Sequence, residues 1–245
     1  MTDSQPARRV HGNSPRAIVR CGLAVLVVLV VGFVASGVVP GSPTDEDRRS
    51  LLAAGVLDIT DIDHAQQLDY PGQAALLTKV VEVVHQRIPG LSPIPPEHER
   101  EPEDVIKARS GLCYDRARLI EKALRLAGFE VRHVFLLYGG FKNMLSAGSP
   151  THAMLEVRTA KGWMFVGTLT PVLGLDADGR IWSMADLRSD AASGGAAIKR
   201  NGWIEVIPTD FVPLIGVYSR NGKHYWPYTA MPEYSPTQVV SGMID

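Results

Sequence analysis

Residues 111–134, GLCYDRARLIEKALRLAGFEVRHV, decide the fold because the hydrophobic period changes within them. Apolar residues recur at helical spacing from about Leu112 to Ala127, and Gly128 ends the pattern. This spacing predicts a helix with a broad buried face. From Glu130 onward apolar and polar residues alternate, which is typical of a strand. The stretch therefore predicts a buried helix that leads directly into a sheet.

The rest of the chain divides in the same way, with helical patterns before this stretch and alternating patterns after it. We predict one or two short helices at 51–70, a helix at 71–88, a solvated loop at 91–103 and a short helix from Pro102. The predicted strands are 130–137, 152–158, 163–170, 203–207 and 214–219, and Lys161-Gly162 and Asp178-Gly179 are hairpin signals. Helices followed by antiparallel strands indicate an α+β domain.

An uncharged segment of 19 residues, 21–39, precedes this domain. A helix of that length nearly spans a hydrocarbon core of about 30 Å. Four arginines come before the segment and three acidic residues follow it closely, so the positive-inside rule predicts a cytoplasmic tail at 1–20 and an exported domain. We expect a single-pass inner-membrane protein with a linker at 40–50 and a periplasmic or extracytoplasmic domain at 51–245. A cleaved signal peptide ending near Ala35-Ser36-Gly37 is the alternative.

Composition excludes some classes of protein. The formal net charge is −1, which does not indicate a nucleic-acid binder. The chain has two cysteines, too few for a disulfide scaffold, and Cys21 falls in the predicted anchor. Cys113 is therefore the single cysteine of the exported domain. No spacing of His and Cys predicts a zinc site, and the acidic group at 58–64 is interpreted as surface charge, so we expect no metal and no cofactor.

Cys113 and His152 are the candidate reactive residues. Cys113 falls in the first turn of the predicted helix, where free backbone N–H groups and the positive end of the helix dipole favour a thiolate. His152 begins a strand of the sheet against which this helix must pack. A cysteine at a helix start that faces a histidine on a strand is the minimal thiol–imidazole pair. The alternative is that Cys113 is a small buried apolar residue, since it also continues the apolar stripe.

The string around Cys113 resembles the Gly-x-Cys helix of the transglutaminase-like superfamily. Residues 151–166, THAMLEVRTAKGWMFV, resemble its His-Ala-x-x-Glu-Val strand and the hairpin that follows. The resemblance covers about residues 100–185. It implies a papain-like core in which the Cys helix packs on an antiparallel sheet. It also implies acyl transfer through a thioester, with Cys113 as nucleophile and His152 as base.

The chain departs from the superfamily at the third catalytic residue. The resemblance implies an aspartate in a Val-Asp-Pro-Thr-like segment, and Gly167 occupies that position here. The predicted hairpin places residues 167–169 across from His152, with no carboxylate among them. Thr168 or Thr170 is a weak candidate acceptor for the imidazole N–H. Asp176 is a candidate substitute for the missing aspartate, although the sequence around it is also typical of a hairpin turn.

Two functions follow from these residues. The first is a thiol-dependent amide or peptide hydrolase, or an acyltransferase, that acts on a protein or peptide of the cell envelope. The second is a non-catalytic binding or scaffolding module of the same fold, a pseudoenzyme, because Gly167 replaces the expected aspartate.

Overall fold

The computed structural model describes residues 26–27, 30–95, 97–140, 143, 150–176, 178–192, 210–218 and 233–244. The chain divides into two units, residues 1–37 and 38–245. In the first unit residues 30–35 are helical, and Val30, Val31, Phe33 and Val34 are exposed. Within the described part of the chain, no helix is both long and apolar enough to cross a membrane. The predicted tail and part of the predicted anchor lie outside that part, so the anchor stays a prediction.

The second unit begins with three helices and two short 3-10 turns. The helices are α1 (Asp45–Ala53), α2 (Tyr70–Arg87) and α3 (Pro102–Ala108), and the 3-10 turns are Ile59–Asp61 and Ala65–Gln67. The predicted helix at 71–88 is confirmed: Asp69 caps α2, its side chain accepting the N–H of Gly72, and a proline occupies the first turn.

The predicted linker at 40–50 is wrong from Asp45 onward, because α1 begins there. Thr44 and Asp47 form a reciprocal capping box: the Asp47 N–H donates to Thr44 Oγ1 (3.1 Å) and the Thr44 N–H donates to Asp47 Oδ2 (2.7 Å). Asp47 is itself buried and accepts from Lys122 Nζ at 2.9 Å. The acidic residues that made the segment resemble a linker are therefore the first turn of a docked helix.

The decisive stretch forms α4 (Cys113–Leu126) and then the first strand, as predicted. The strands are β1 (Val131–Tyr138), β2 (Thr151–Thr159), β3 (Gly162–Val166) and β4 (Phe211–Ile215), and a further helix, α5 (Met184–Ala192), follows β3. The sheet order is β3-β2-β1-β4, and every neighbouring pair is antiparallel. The last helix, α6, is Pro236–Ile244.

Three strand predictions need correction or lie beyond the described residues. The third strand ends at Val166 rather than 170, because the Gly167 N–H leaves the ladder and donates to Val172 O at 2.7 Å. The last strand is Phe211–Ile215 rather than 214–219, and Gly216 ends it with φ of +75°. The strand predicted at 203–207 lies outside the described residues.

The sheet is covered on both faces. Ala153, Leu155 and Val157 of β2 pack into one apolar cluster with α2 and α4. Met154, which points to the other face by alternation, packs with Trp182 and with Met184 of α5. Helices that precede an antiparallel sheet, with α4 packed on β1 and β2, confirm the α+β class.

Candidate functional site

Cys113 is the first residue of α4, is half-buried and forms no disulfide. The turn before it is fixed by close contacts: the Leu112 N–H donates to Asp115 Oδ2 at 3.0 Å. A Cβ at Gly111 would lie 2.8 Å from the Cβ of Asp115, so only glycine fits there. The amides of a first helical turn have no acceptor within the helix, and together with the dipole they favour a thiolate and attract an oxyanion.

Arg116 holds this turn against the end of α2. Its Nε donates to Gly111 O at 3.0 Å, and its Nη2 donates to Ile88 O at 2.7 Å and to Gly90 O at 2.9 Å. Its Nη1 donates to His85 Nδ1 at 2.8 Å. The residue is buried, and this set of bonds was not foreseen from the sequence. Arg116 therefore positions the backbone that precedes Cys113.

Asp115 is a second buried residue of this turn that sequence reasoning missed. Burial raises its pKa to about 6, although the Arg100 guanidinium, 3.7 Å from Oδ1, acts in the opposite direction. The Arg100 guanidinium also lies over the Tyr114 ring, 5.1 Å from its centroid. A carboxyl group that titrates near neutral pH therefore lies two residues after the candidate nucleophile. The only sequence signal for it was the spacing of a cap residue and an acidic residue three positions later.

His152 is the second residue of β2 and is buried. It pairs with Leu136 of β1, and its neighbour Ala153 belongs to the apolar cluster against which Cys113 packs. Because α4 packs on β2, the structure brings the two elements that carry Cys113 and His152 into contact. The direct pairing of sulfur and imidazole stays a prediction.

The position of the missing aspartate is buried and lies beside the start of β2. The ladder between β2 and β3 ends with Leu155 opposite Val166, and Gly167 is the first residue beyond it. The placement of Gly167 across from His152 stays a prediction. Thr168 is buried next to the glycine, and its Oγ1 donates to Ala153 O at 2.5 Å. Thr168 therefore lies beside the backbone that follows His152, where its hydroxyl is a candidate partner of the imidazole.

The Asp176 carboxylate is engaged by its own turn. Oδ1 accepts the N–H groups of Asp178 (3.0 Å) and Arg180 (2.9 Å), and Oδ2 accepts Trp182 Nε1 (3.1 Å). These bonds, first that from Trp182, hold its pKa below the ordinary value. The chain segments on either side of this turn pair in an antiparallel bridge at Leu175 and Ile181, so the turn is a hairpin. A role for Asp176 towards His152 stays a prediction.

Other candidate residues have structural partners. Asp58 and Asp61 both accept from Lys79 Nζ, at 2.7 and 2.8 Å. The interpretation as surface charge holds for the exposed Asp58 and is wrong for Asp61, which is buried. His133 is fully buried and stacks on Tyr218 with ring centroids 4.4 Å apart. Burial lowers its pKa to about 4, so it is neutral at physiological pH.

Comparison with known proteins gives one informative match. Residues 63–168 match the family model of the Transglutaminase-like superfamily. No curated protein matches the chain. Among solved structures, the crystal structure of Rad4-Rad23 bound to a 6-4 photoproduct UV lesion is similar, with 14% identity and a TM-score of 0.37. That similarity covers 73% of this chain and only 46% of the other, and it carries no argument about function. The family match includes Cys113, His152 and Gly167, so residues 63–168 of the chain match a transglutaminase-like domain.

Proposed function

We propose that this protein is a thiol-dependent amide or peptide hydrolase, or an acyltransferase, with Cys113 as nucleophile and His152 as general base. The Cys113 sulfur attacks a carbonyl carbon, and its proton passes through the imidazole to the leaving amine. The resulting thioester is released by water or by a second amine. The observation that carries the proposal is a half-buried free thiol at the first position of α4, on a helix that packs against the strand whose second residue is His152.

The proposed place of action is the cell envelope, where the substrate is a protein or peptide. Support comes from the arginine-rich residues 1–20, the uncharged run at 21–39 and the exposed apolar side chains of residues 30–34. A reporter fused after Asp245 should be active only outside the cytoplasm, and the protein should resist carbonate extraction. A soluble species that begins near Val38 would replace the anchor with a cleaved signal peptide.

Thiol alkylation tests the Cys113–His152 pair directly. In a Cys21→Ser background, iodoacetamide should label Cys113 rapidly at about pH 6 to 7, where an ordinary thiol reacts slowly. The His152→Ala variant should slow labelling by at least about tenfold, because the Cys113 thiol loses its proton acceptor and less thiolate forms. His98→Ala, at an exposed histidine of the loop before α3, is the matched control and should leave the rate unchanged. Equal rates in all three proteins would remove the catalytic assignment.

A second candidate function is a non-catalytic binding or scaffolding module of the envelope. The observation that favours it is the combination of a buried glycine at the aspartate position and an Asp176 carboxylate already bonded within its own turn. In that case Cys113 is a packing residue. Labelling of the folded protein should then be slow at every pH near neutrality and insensitive to His152→Ala.

A further inference from the structure

The C-terminal helix α6 is fixed against the domain along one side. Gln238 is buried: its Oε1 accepts the His133 N–H at 2.6 Å, and its Nε2 donates to Glu121 Oε1 at 3.0 Å. One turn later, a Cβ at Gly242 would lie 2.7 Å from the Cβ of Ile215, so the helix backbone lies directly on β4. These contacts fix which side of α6 faces outward.

The outward side of α6 is apolar. Val240 is 54% exposed, Met243 80% and Ile244 79%, and the spacing of three and four residues places them on one stripe. No residue of the helix, PTQVVSGMI, carries a charge. An ordinary surface helix turns charged residues to water, so this stripe has the composition of a surface that contacts an apolar phase.

The helix that carries the stripe begins beside Val38, the first residue of the second unit. Val38 forms a bridge with Tyr234, two residues before α6, and the Val39 N–H donates to Tyr234 O at 2.9 Å. In the described part of the second unit, the exposed large apolar residues are Val38, Ile59, Leu91, Leu169, Val240, Met243 and Ile244. Three of these seven, Val240, Met243 and Ile244, belong to α6, and a fourth, Val38, is held beside the start of α6 by its bridge with Tyr234. The other three lie in separate parts of the chain. Val38 directly follows the apolar run of residues 21–37.

We propose that the outer face of α6, with Val240, Met243 and Ile244, lies in the lipid surface of the bilayer next to the anchor. The inference rests on the membrane attachment given under the proposed function. A helix of nine residues is about 14 Å long, so the whole stripe stays close to the point where the chain leaves the membrane.

Because the anchor already holds the protein at the membrane, a small apolar stripe is sufficient to bind the lipid surface. Three apolar side chains would bind a bilayer weakly by themselves, but tethering turns their insertion into an intramolecular step at high effective concentration. The absence of charge on α6 means that insertion does not depend on anionic lipids. The result is a domain held against the membrane in one orientation rather than free to rotate on its tether.

Site-specific fluorescence quenching tests this contact in the full-length chain. Met243→Cys is labelled with an environment-sensitive nitrobenzoxadiazole dye in a Cys21→Ser, Cys113→Ser background. The protein is reconstituted into phosphatidylcholine vesicles that contain a lipid with a nitroxide in its acyl chain. The matched control carries the dye at Asp178→Cys, in the exposed turn after Asp176. Quenching at position 243 should exceed quenching at position 178 by at least about twofold, because only the α6 stripe reaches the acyl region.

A second variant confirms the cause. Introducing Ile244→Glu beside the label should remove the excess quenching, whereas Ile59→Glu, which changes an isolated exposed apolar residue, should not. Vesicle flotation separates the two proposals: a protein that does not float with the vesicles contradicts the anchor and the stripe together. A protein that floats but is quenched equally at 243 and 178 overturns the stripe alone. Weak quenching at 243 together with concentration-dependent self-quenching would overturn it in favour of a contact between two copies of the chain.

Discussion

Two regions of α4 differ in how their polar groups are arranged: the first turn, which carries Cys113, and the middle of the helix, which carries Glu121. At the first turn, Cys113 packs against the apolar cluster that contains Ala153 of β2, and the position expected to hold a catalytic aspartate is a buried glycine. Along the helix, the fully buried Glu121 carboxylate accepts from Tyr218 Oη at 2.6 Å, Gln238 Nε2 at 3.0 Å and Arg125 Nε at 3.1 Å. A carboxylate therefore holds the middle of the helix in the fold, whereas the position at which the resemblance implies a catalytic aspartate is a glycine.

The side of α4 that carries Arg118, Glu121 and Lys122 contacts residues from both ends of the second unit. Arg118 donates to the Glu101 carboxylate at 2.8 and 2.9 Å and to Pro40 O at 2.8 Å. Lys122 donates to Asp47 Oδ2 at 2.9 Å and to Ser42 O at 2.7 Å. The position of the Cys helix is therefore fixed by a network that does not involve the candidate site. The fold around α4 therefore does not depend on a carboxylate at Gly167, where the resemblance implies an aspartate.

The largest effect is expected from Glu121→Ala. Removing this carboxylate leaves the buried Tyr218 hydroxyl and Gln238 amide without their acceptor and takes one of two carboxylates from the buried Arg118, so the free energy of unfolding should fall by about 3 to 5 kcal/mol. Glu82→Ala, the same change at an exposed position of α2, should alter it by less than about 0.5 kcal/mol. Urea denaturation measures both. A loss below about 1 kcal/mol in Glu121→Ala would mean that the network does not hold α4.

Lowering the pH should decrease the free energy of unfolding through protonation of His133. Its pKa is about 4 in the folded protein because of burial, against 6.5 for the free side chain. The unfolded chain therefore binds more protons between these values, and stability falls as pH drops from about 6.5 to about 4, by up to roughly 3 kcal/mol.

The contribution of His133 is the difference between wild type and a His133→Phe variant, which keeps the stacking on Tyr218. Asp115, whose pKa is raised to about 6, changes stability in the opposite direction over part of the same window, and the subtraction removes it. Urea denaturation at pH 7, 6, 5 and about 4.5 gives the comparison. Identical pH profiles for the two proteins would contradict the assignment.

Tyr218→Phe should have a smaller effect. The hydroxyl donates to Glu121 and accepts from Gln238 Nε2 at 2.5 Å, and its loss should cost about 1 to 2 kcal/mol. Tyr70→Phe is the matched control, because the Tyr70 hydroxyl is buried without a hydrogen-bond partner. That change should be neutral or slightly stabilising. Equal losses in the two variants would show that the hydroxyl of Tyr218 does not matter to the network.

Gly167→Asp places a carboxylate at the position where the resemblance implies one. If His152 is aligned with Cys113, this carboxylate stabilises the imidazolium and should speed iodoacetamide labelling at neutral pH. Ala160→Asp, at the far end of the same hairpin, is the control and should leave the rate unchanged. Thermal unfolding of each variant verifies that it is folded.

An unchanged rate in folded Gly167→Asp leaves two cases, which Asp176→Asn distinguishes. If that second change abolishes fast labelling, Asp176 already orients His152 and the enzyme assignment stands. If it has no effect, the non-catalytic module is the better account of the chain.

Local signals in the sequence predicted the elements that carry the candidate site. The periodicity change around Gly128 gave α4 and β1, Pro71 marked the first turn of α2, and Lys161-Gly162 gave the hairpin between β2 and β3. Each of these depends on residues within one turn or one pair of strands. Sequence analysis placed Cys113 at the start of a helix and His152 at the start of a strand, and the structure places them at the starts of α4 and β2.

The parts that depend on distant partners were not predictable. The start of α1 was interpreted as a linker because of its charged composition. Asp47 is nevertheless buried and accepts a hydrogen bond from Lys122, which lies 75 positions away in the sequence. The buried position of Arg116 depends on carbonyl groups at the end of α2. Similarly, β3 ends early because of a bond between Gly167 and Val172 that no alternation pattern encodes.

The hydrogen bonds between α4 and residues 39–42 have a mechanical consequence. A pulling force on the chain at residue 37 would load first the Val39–Tyr234 bond, and next the bonds from Arg118 to Pro40 and from Lys122 to Ser42. Tension on the N-terminus would thus be transmitted to the helix that carries Cys113 instead of being absorbed by slack chain. If the predicted anchor at 21–39 attaches the protein to a membrane, a force on that attachment would strain the helix that carries the candidate nucleophile.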